Sequence, residues 1–164
     1  MTLENTDAAI LEALGERMAA GTPQSAALGV RIVSVKPGEA VMAMPHRAEL
    51  VGDPETGVLA GGVVTTLLDH VCGLAVSSRL VAAGTAGPIA TLDLRIDYMR
   101  AAEPGHDLLA RAICYHITHS IAFVRATAFD GDEENPVATA QAAFALGTGP
   151  GPSGATQIGG APIR

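Results

Sequence analysis

Among the 164 residues one carboxylate lies where carboxylates are seldom found. Asp69 sits inside Gly57-Val58-Leu59-Ala60-Gly61-Gly62-Val63-Val64-Thr65-Thr66-Leu67-Leu68-Asp69-His70-Val71-Cys72-Gly73, a run that otherwise reads as an apolar helix. Burial there without a partner would raise its pKa and cost stability, so it is either a hydrogen-bonded core acid or a group kept for chemistry. On a helical projection Gly62, Thr65, Thr66, Asp69 and Gly73 fall along one side, giving the acid two hydroxyls and a glycine that admits another backbone. Val63, Val64, Leu67, Leu68, Val71, Leu74 and Ala75 cover most of the rest and form the expected core face. Gly61-Gly62 at the helix start adds a second possibility. Unpaired amides point outward there and the dipole favours negative charge, so a carbonyl oxygen could approach them as at an oxyanion site. A turn needing unusual dihedrals would explain the two glycines equally well.

The elements that must hold these groups follow from periodicity. Leu3, Ile10, Leu11, Leu14 and Met18 recur at helical spacing until Gly21-Thr22-Pro23, which predicts an amphipathic outer helix over residues 1–21. Leu28 to Val35 and Glu39 to Pro45 read as a hairpin about Lys36-Pro37-Gly38, and Arg47 to Leu59 as a loop. Four β-like runs follow the long helix: Ile89 to Arg100, Leu108 to Ile117, Ile121 to Asp130 and Pro136 to Leu146. In the first, alternation puts Leu92, Leu94, Ile96 and Tyr98 on one face and Thr91, Asp93, Arg95 and Asp97 on the other. Helix, two strands, helix, four strands predicts an α+β domain over 22–147: an antiparallel sheet around one buried helix. Residues 148–164 read as a Gly/Pro-rich tail with too little apolar surface to offset its ordering entropy.

Composition narrows the function. Ten basic against 17 acidic residues give a net charge of −7, without the dense cationic face that nucleic acid demands. No basic, apolar leader opens the chain, and its most apolar stretch, Val58 to Ala83, is interrupted by Asp69, His70 and Arg79, so neither a signal peptide nor a membrane partner is expected. Cys72 and Cys114 are too few for a disulfide framework and lack the pairing of a zinc site, which points to a reducing cytoplasm. Phosphate-loop, dinucleotide and Gly-x-Ser-x-Gly motifs are all missing from the sequence. His116 and His119, three apart on a strand, point to opposite faces and do not pair as metal ligands; His46 and His106 carry no distinct signal.

Gly57 to Asp69, followed by Ala90-Thr91-Leu92-Asp93-Leu94-Arg95-Ile96-Asp97-Tyr98-Met99-Arg100, resembles the hotdog-fold acyl-CoA thioesterases, in particular their phenylacetate-pathway branch. The resemblance runs from about Leu28 to Leu146. It implies a hotdog fold, a homodimer or dimer of dimers, and active sites between subunits. By position it makes Asp69 the catalytic carboxylate, as general base or nucleophile, Gly61 the backbone donor to the thioester carbonyl, and Thr91 a hydroxyl that orients water from the facing subunit. It implies no metal and no cofactor beyond the coenzyme A of the substrate, because a thioester is already activated.

Two positions depart from that pattern. The usual His-Gly-Gly is Ala60-Gly61-Gly62, and a carbonyl- or water-holding amide falls on Pro54 or, with one extra loop residue, on Asp53. An ionised aspartate accepts but does not donate, so it is no substitute for an amide on a carbonyl. Substrate contacts are expected from Gly62, Thr65, Thr66 and Asp53, and coenzyme A phosphate contacts from Arg100, His119 and Arg125. His70 projects away from Asp69 on the helix and is expected at a packing or subunit interface. The leading expectation is an acyl-CoA thioesterase, and the rival is a non-catalytic acyl-CoA-binding protein of the same fold, which Ala60 and Pro54 would suit. A hotdog hydratase would need a His and Asp pair in a different motif.

Overall fold

Small side chains along one face of a sheet let a helix lie close against it, and alanine supplies that face here. In the computed structural model, which describes residues 3–147, α3 (Gly61–Ala82) lies on the inner face of a six-stranded antiparallel sheet. It is preceded by α1 (Leu3–Ala20), α2 (Pro23–Leu28), β1 (Arg31–Lys36), β2 (Glu39–Met44), a 3-10 turn (Ala48–Leu50), β3 (Val51–Asp53) and β4 (Val58–Leu59). It is followed by β5 (Ile89–Tyr98), β6 (Leu108–Ile117), β7 (Ile121–Phe129) and β8 (Ala138–Leu146). The sheet order is β1-β2-β6-β7-β8-β5, and β3 pairs with β4 apart from it. This is the α+β hotdog architecture that the element order and the family resemblance imply.

Alternation places Ala110, Ala112, Ala122, Val124, Ala126, Ala128, Ala138, Ala140 and Ala142 on the inner face, all buried. Opposite them α3 presents Val64, Leu67, Leu68, Val71, Leu74 and Ala75, also buried, with Val63 half-buried. Leu67, Leu68 and Leu74 are fully buried, each contributing about 1.5–3 kcal/mol relative to exposure. Of the described helices α3 alone is long and apolar enough to cross a membrane, but here the sheet wraps it and those residues form the core. On the far side α1 packs against β1 and α3, burying Leu11 and Leu14 and leaving Ile10 exposed. Gly15 lies against Ile32 and Val35, and Met18 covers Gly73.

Three local features differ from the sequence reading. Thr22-Pro23 ends α1 but also starts α2: the Thr22 side chain accepts from the Ser25 amide, Pro23 opens the first turn, and Gly29 closes the helix at φ 71°. The strand expected from Leu28 therefore begins at Arg31. The stretch read as a loop over 47–59 holds the 3-10 turn, β3 and β4. Finally, β5 carries an irregularity between Thr91 and Asp93, which pair with the adjacent Phe144 and Ala143, so Leu92 is an extra residue in the ladder. The predicted tail, residues 148–164, lies outside the described residues.

Candidate active site

That extra residue changes which face Thr91 occupies. Strict alternation opposes Thr91 to Leu94; with Leu92 bulged, Thr91 joins Leu94 and Ile96 on the side facing α3. Its Oγ1 donates to Asp69 Oδ1 at 2.9 Å, within one chain. Leu92, expected on the apolar face, is 59% exposed instead. Asp69 is half-buried, so the carboxylate belongs to the rim of the core helix rather than to its interior. The hydroxyl holds Oδ1, and no described residue bonds Oδ2.

The start of α3 is fixed by its neighbours. The Ala60 amide donates to the Leu50 carbonyl at 2.9 Å, and a Cβ at Gly52 would stand 2.8 Å from Ala60 Cα, so β3 lies hard against the helix entrance. His46 Nε2 lies 2.9 Å from the Gly57 carbonyl oxygen and ties down the turn before β4. Ala60 is the cap residue and offers no side-chain cap bond. Gly61 and Gly62 are exposed, and among the described residues their amides have no acceptor. Nothing lies within 4 Å of where a Gly62 Cβ would be. The Gly61 carbonyl accepts from Tyr98 Oη at 2.7 Å and from Thr65 Oγ1 at 3.1 Å. Thr66 Oγ1 donates to the Gly62 carbonyl at 3.0 Å. Both threonine hydroxyls predicted to share Asp69's face thus turn back onto the helix, and the acid's partner comes from β5.

Eight residues separate Gly61 from Asp69, about 12 Å along a helix axis. One carbonyl cannot touch the Gly61 amide and the Asp69 carboxylate of a single chain. A site using both groups of one chain would have to span that distance, which the between-subunit site implied by the resemblance would not. Among the described residues β5, ten residues long, pairs with β8 alone and leaves its other edge free.

The remaining candidates are scattered. Asp53 is exposed, and its carboxylate accepts from the Glu55 amide at 3.0 Å and from Thr56 Oγ1 at 2.7 Å; those bonds hold its pKa below the usual value and commit it to the β3–β4 turn. Arg100 Nη1 and Nη2 donate to Asp130 at 2.8 and 2.5 Å, and Nη2 also to the Asn135 carbonyl at 2.8 Å, so it braces the loops between β5, β7 and β8. Arg125 stands on the outer face of the sheet, its guanidinium carbon 4.6 Å from the Tyr115 ring centroid, with the sheet between it and α3. His119 is exposed in the β6–β7 turn, at the end of the sheet where Thr91 also lies, while His116 stacks on Phe123.

Sequence reasoning missed two contacts. Tyr98 was legible as an inner-face residue, yet nothing local shows that its hydroxyl ends on Gly61. His70 Nε2 lies 2.5 Å from Ser25 Oγ, with Thr22 Oγ1 3.4 Å away, which fastens α2 to the core helix. Ser25 is fully buried, so this Ser–His pair cannot meet a substrate as a nucleophile. Thr22-Pro23 was the available signal, since it marks a helix cap.

Asp69 and the Gly61 amide, the two groups that the hotdog thioesterase resemblance singles out, thus lie on one core helix, the first bonded by a strand hydroxyl and the second open at the helix start. The Thioesterase superfamily model matches residues 56–137, half of the chain, and the chain belongs to that superfamily. A protein of Pseudomonas aeruginosa of known structure is 32% identical with a TM-score of 0.75, over 84% of this chain and 99% of that one. PaaI, a phenylacetic acid degradation protein of Thermus thermophilus, solved in a mutant form, is 29% identical with a TM-score of 0.66, over 76% and 99%. A Halobacterium salinarum protein bearing the name "Putative esterase" is 37% identical over 86 residues, 52% of this chain and 55% of its own length. The chain thus spans about half the length of that curated relative.

Proposed function

We propose that this chain hydrolyses acyl-CoA thioesters in the cytoplasm as a homodimer or dimer of dimers, each site built by two chains. The observation that carries the reading is the 2.9 Å bond from Thr91 to Asp69 on the helix that opens in two unpartnered glycine amides. Thr91 fixes one carboxylate oxygen and leaves the other for water. Asp69 Oδ2 takes a proton from that water as its oxygen bonds to the thioester carbon. The carbonyl oxygen becomes an oxyanion on the partner's helix start, at the Gly61 amide. Collapse breaks the carbon–sulfur bond, coenzyme A leaves as a thiolate, and the proton held by Asp69 passes to sulfur. Direct attack by the carboxylate, giving an anhydride that water then opens, uses the same atoms. No serine nucleophile or metal is called on.

Gly62 and Thr66 stand at the helix start as the substrate contacts this reading keeps, whereas Asp53 is held by the β3–β4 turn. His119 lies near the Thr91 end of the sheet, where a coenzyme A phosphate can be met. Arg125 would be reached only by a coenzyme that folds over the sheet edge, and Arg100 only by displacing Asp130. Free thiols fit the cytoplasm: Cys72 and Cys114 are unpaired and buried.

Ala60 favours the second reading, binding of acyl-CoA without turnover, because it puts a methyl where the family has a histidine. Thiol release from a panel of acyl-CoAs separates the two. Hydrolysis by the wild type that falls at least a hundredfold in Asp69→Ala supports the enzyme; calorimetric binding with no release supports the binder; equal rates for both proteins remove Asp69 from the chemistry.

A further inference from the structure

Tyr98 makes a contact that the fold does not need. It is 51% exposed near the end of β5, yet its hydroxyl donates to the Gly61 carbonyl at 2.7 Å and lies 2.9 Å from Thr65 Oγ1, which itself stands 3.1 Å from the same carbonyl oxygen. Three oxygens form a closed triangle. A carbonyl in the first turn already accepts the amide four residues on, so two further hydroxyls on it are surplus to helix formation. Exposed hydrogen bonds of this kind also contribute little to stability.

The Gly61 carbonyl shares its planar peptide with the Gly62 amide. Fixing the oxygen fixes the direction of that N–H, and a donor on the carbonyl strengthens the N–H as a donor in turn. Nothing lies within 4 Å of where a Gly62 Cβ would be, while a Cβ at Gly61 would stand 3.4 Å from Tyr98 Oη and 3.6 Å from the ring carbon that bears it. Two glycines in a row would otherwise leave this turn the loosest in the helix.

We propose that Tyr98, seconded by Thr65, is a positioning residue that aims and polarises the Gly61–Gly62 peptide, making the Gly62 amide an oxyanion donor beside that of Gly61. This rests on the thioester-hydrolase reading above. Tyr98 acts through the peptide and touches neither substrate nor attacking water.

The test compares wild type, Tyr98→Phe, Thr65→Val and the double variant in steady-state thiol release from the best acyl-CoA of the panel, with the Gly62 amide resonance recorded for each ligand-free protein. Losing a whole oxyanion donor costs 10²–10³ in kcat, so losing its aim and polarisation is expected to cost about tenfold. KM should stay within about twofold, because the interaction strengthens only as charge develops. The Gly62 amide proton should move upfield, and the double variant should be no slower than Tyr98→Phe, since both hydroxyls act as one unit. Tyr115→Phe, on the outer face, should match wild type. An active wild type with kcat unmoved by Tyr98→Phe overturns the assignment and leaves the hydrolase reading standing. So does a lower kcat with the Gly62 resonance unmoved, or a change in KM alone. A wild type that releases no thiol overturns both.

Discussion

Thr91 reaches Asp69, Oγ1 donating to Oδ1 at 2.9 Å, only because Leu92 is an extra residue in β5. Without it the strand would turn that hydroxyl to the far side of the sheet. A bulge beside a functional side chain re-aims it at the cost of local pairing, and here the cost includes an exposed leucine.

Thr91→Val keeps the β-branched shape and removes the donor. Thiol release should fall about ten- to hundredfold, because the carboxylate is then free to swing away from its water. Thr91→Ser should restore rates to within about threefold. Equal activity of the valine variant would show that the bond only supports packing.

Gly61→Pro removes the amide donor without breaking the helix. Proline is tolerated at a first helical position, and Ala60 before it is already extended at φ −62°, ψ 135°. A loss of about 10²–10³ in kcat is expected. Gly61→Pro and Asp69→Asn chains, each inactive, should recover up to about a quarter of wild-type activity when unfolded and refolded together, because half of the dimers hold one intact site of two. No recovery would place the site within one chain.

Ser25→Ala tests the buried pair. His70 loses its partner at 2.5 Å, so stability should fall by about 1–3 kcal/mol in chemical denaturation. kcat should change by less than about twofold, since a fully buried hydroxyl cannot attack a thioester. A loss comparable to that of Asp69→Ala would make Ser25 the nucleophile and overturn the carboxylate mechanism.

Arg100 and Asp130 predict a pH dependence. The Arg100 hydrogen bonds hold the Asp130 carboxyl down from 3.8 to about 2, with the Glu103 amide assisting against burial. A folded-state value below the unfolded one means stability that is fully present above about pH 5 and fades as pH falls from about 4 through 2. The Asp130 side chain is 6% exposed and that of Arg100 29%, so after partial screening the contribution is on the order of 1–2 kcal/mol. Asp130→Asn should lower the melting temperature at pH 7, and the gap to wild type should close near pH 2. A gap that persists there would mean that the loop is held by something other than this charge.

Much of the site was legible where chemistry follows from local pattern. A charged residue in an apolar helical run marks Asp69, and paired glycines before that run mark an open helix start. Arg100 was not legible as a brace, because a free and a paired arginine look alike until Asp130, thirty residues on, is known to meet it. Tyr98 was placed on the correct face while its hydroxyl was overlooked, since periodicity ranks side chains by apolarity and does not track a polar tip.

The sequence by itself determined the order of the two long helices and six sheet strands, though not α2, β3 or β4, together with the apolar side of α3 and the position of Asp69 along it, because helical and strand periods are written in neighbouring residues. Tertiary structure decided the acid's partner, the grip on the Gly61 carbonyl and the commitment of Asp53 and Arg100 to structure. Those depend on strand register and on contacts between distant residues. A single bulge shifts the register by one, and no local period records it.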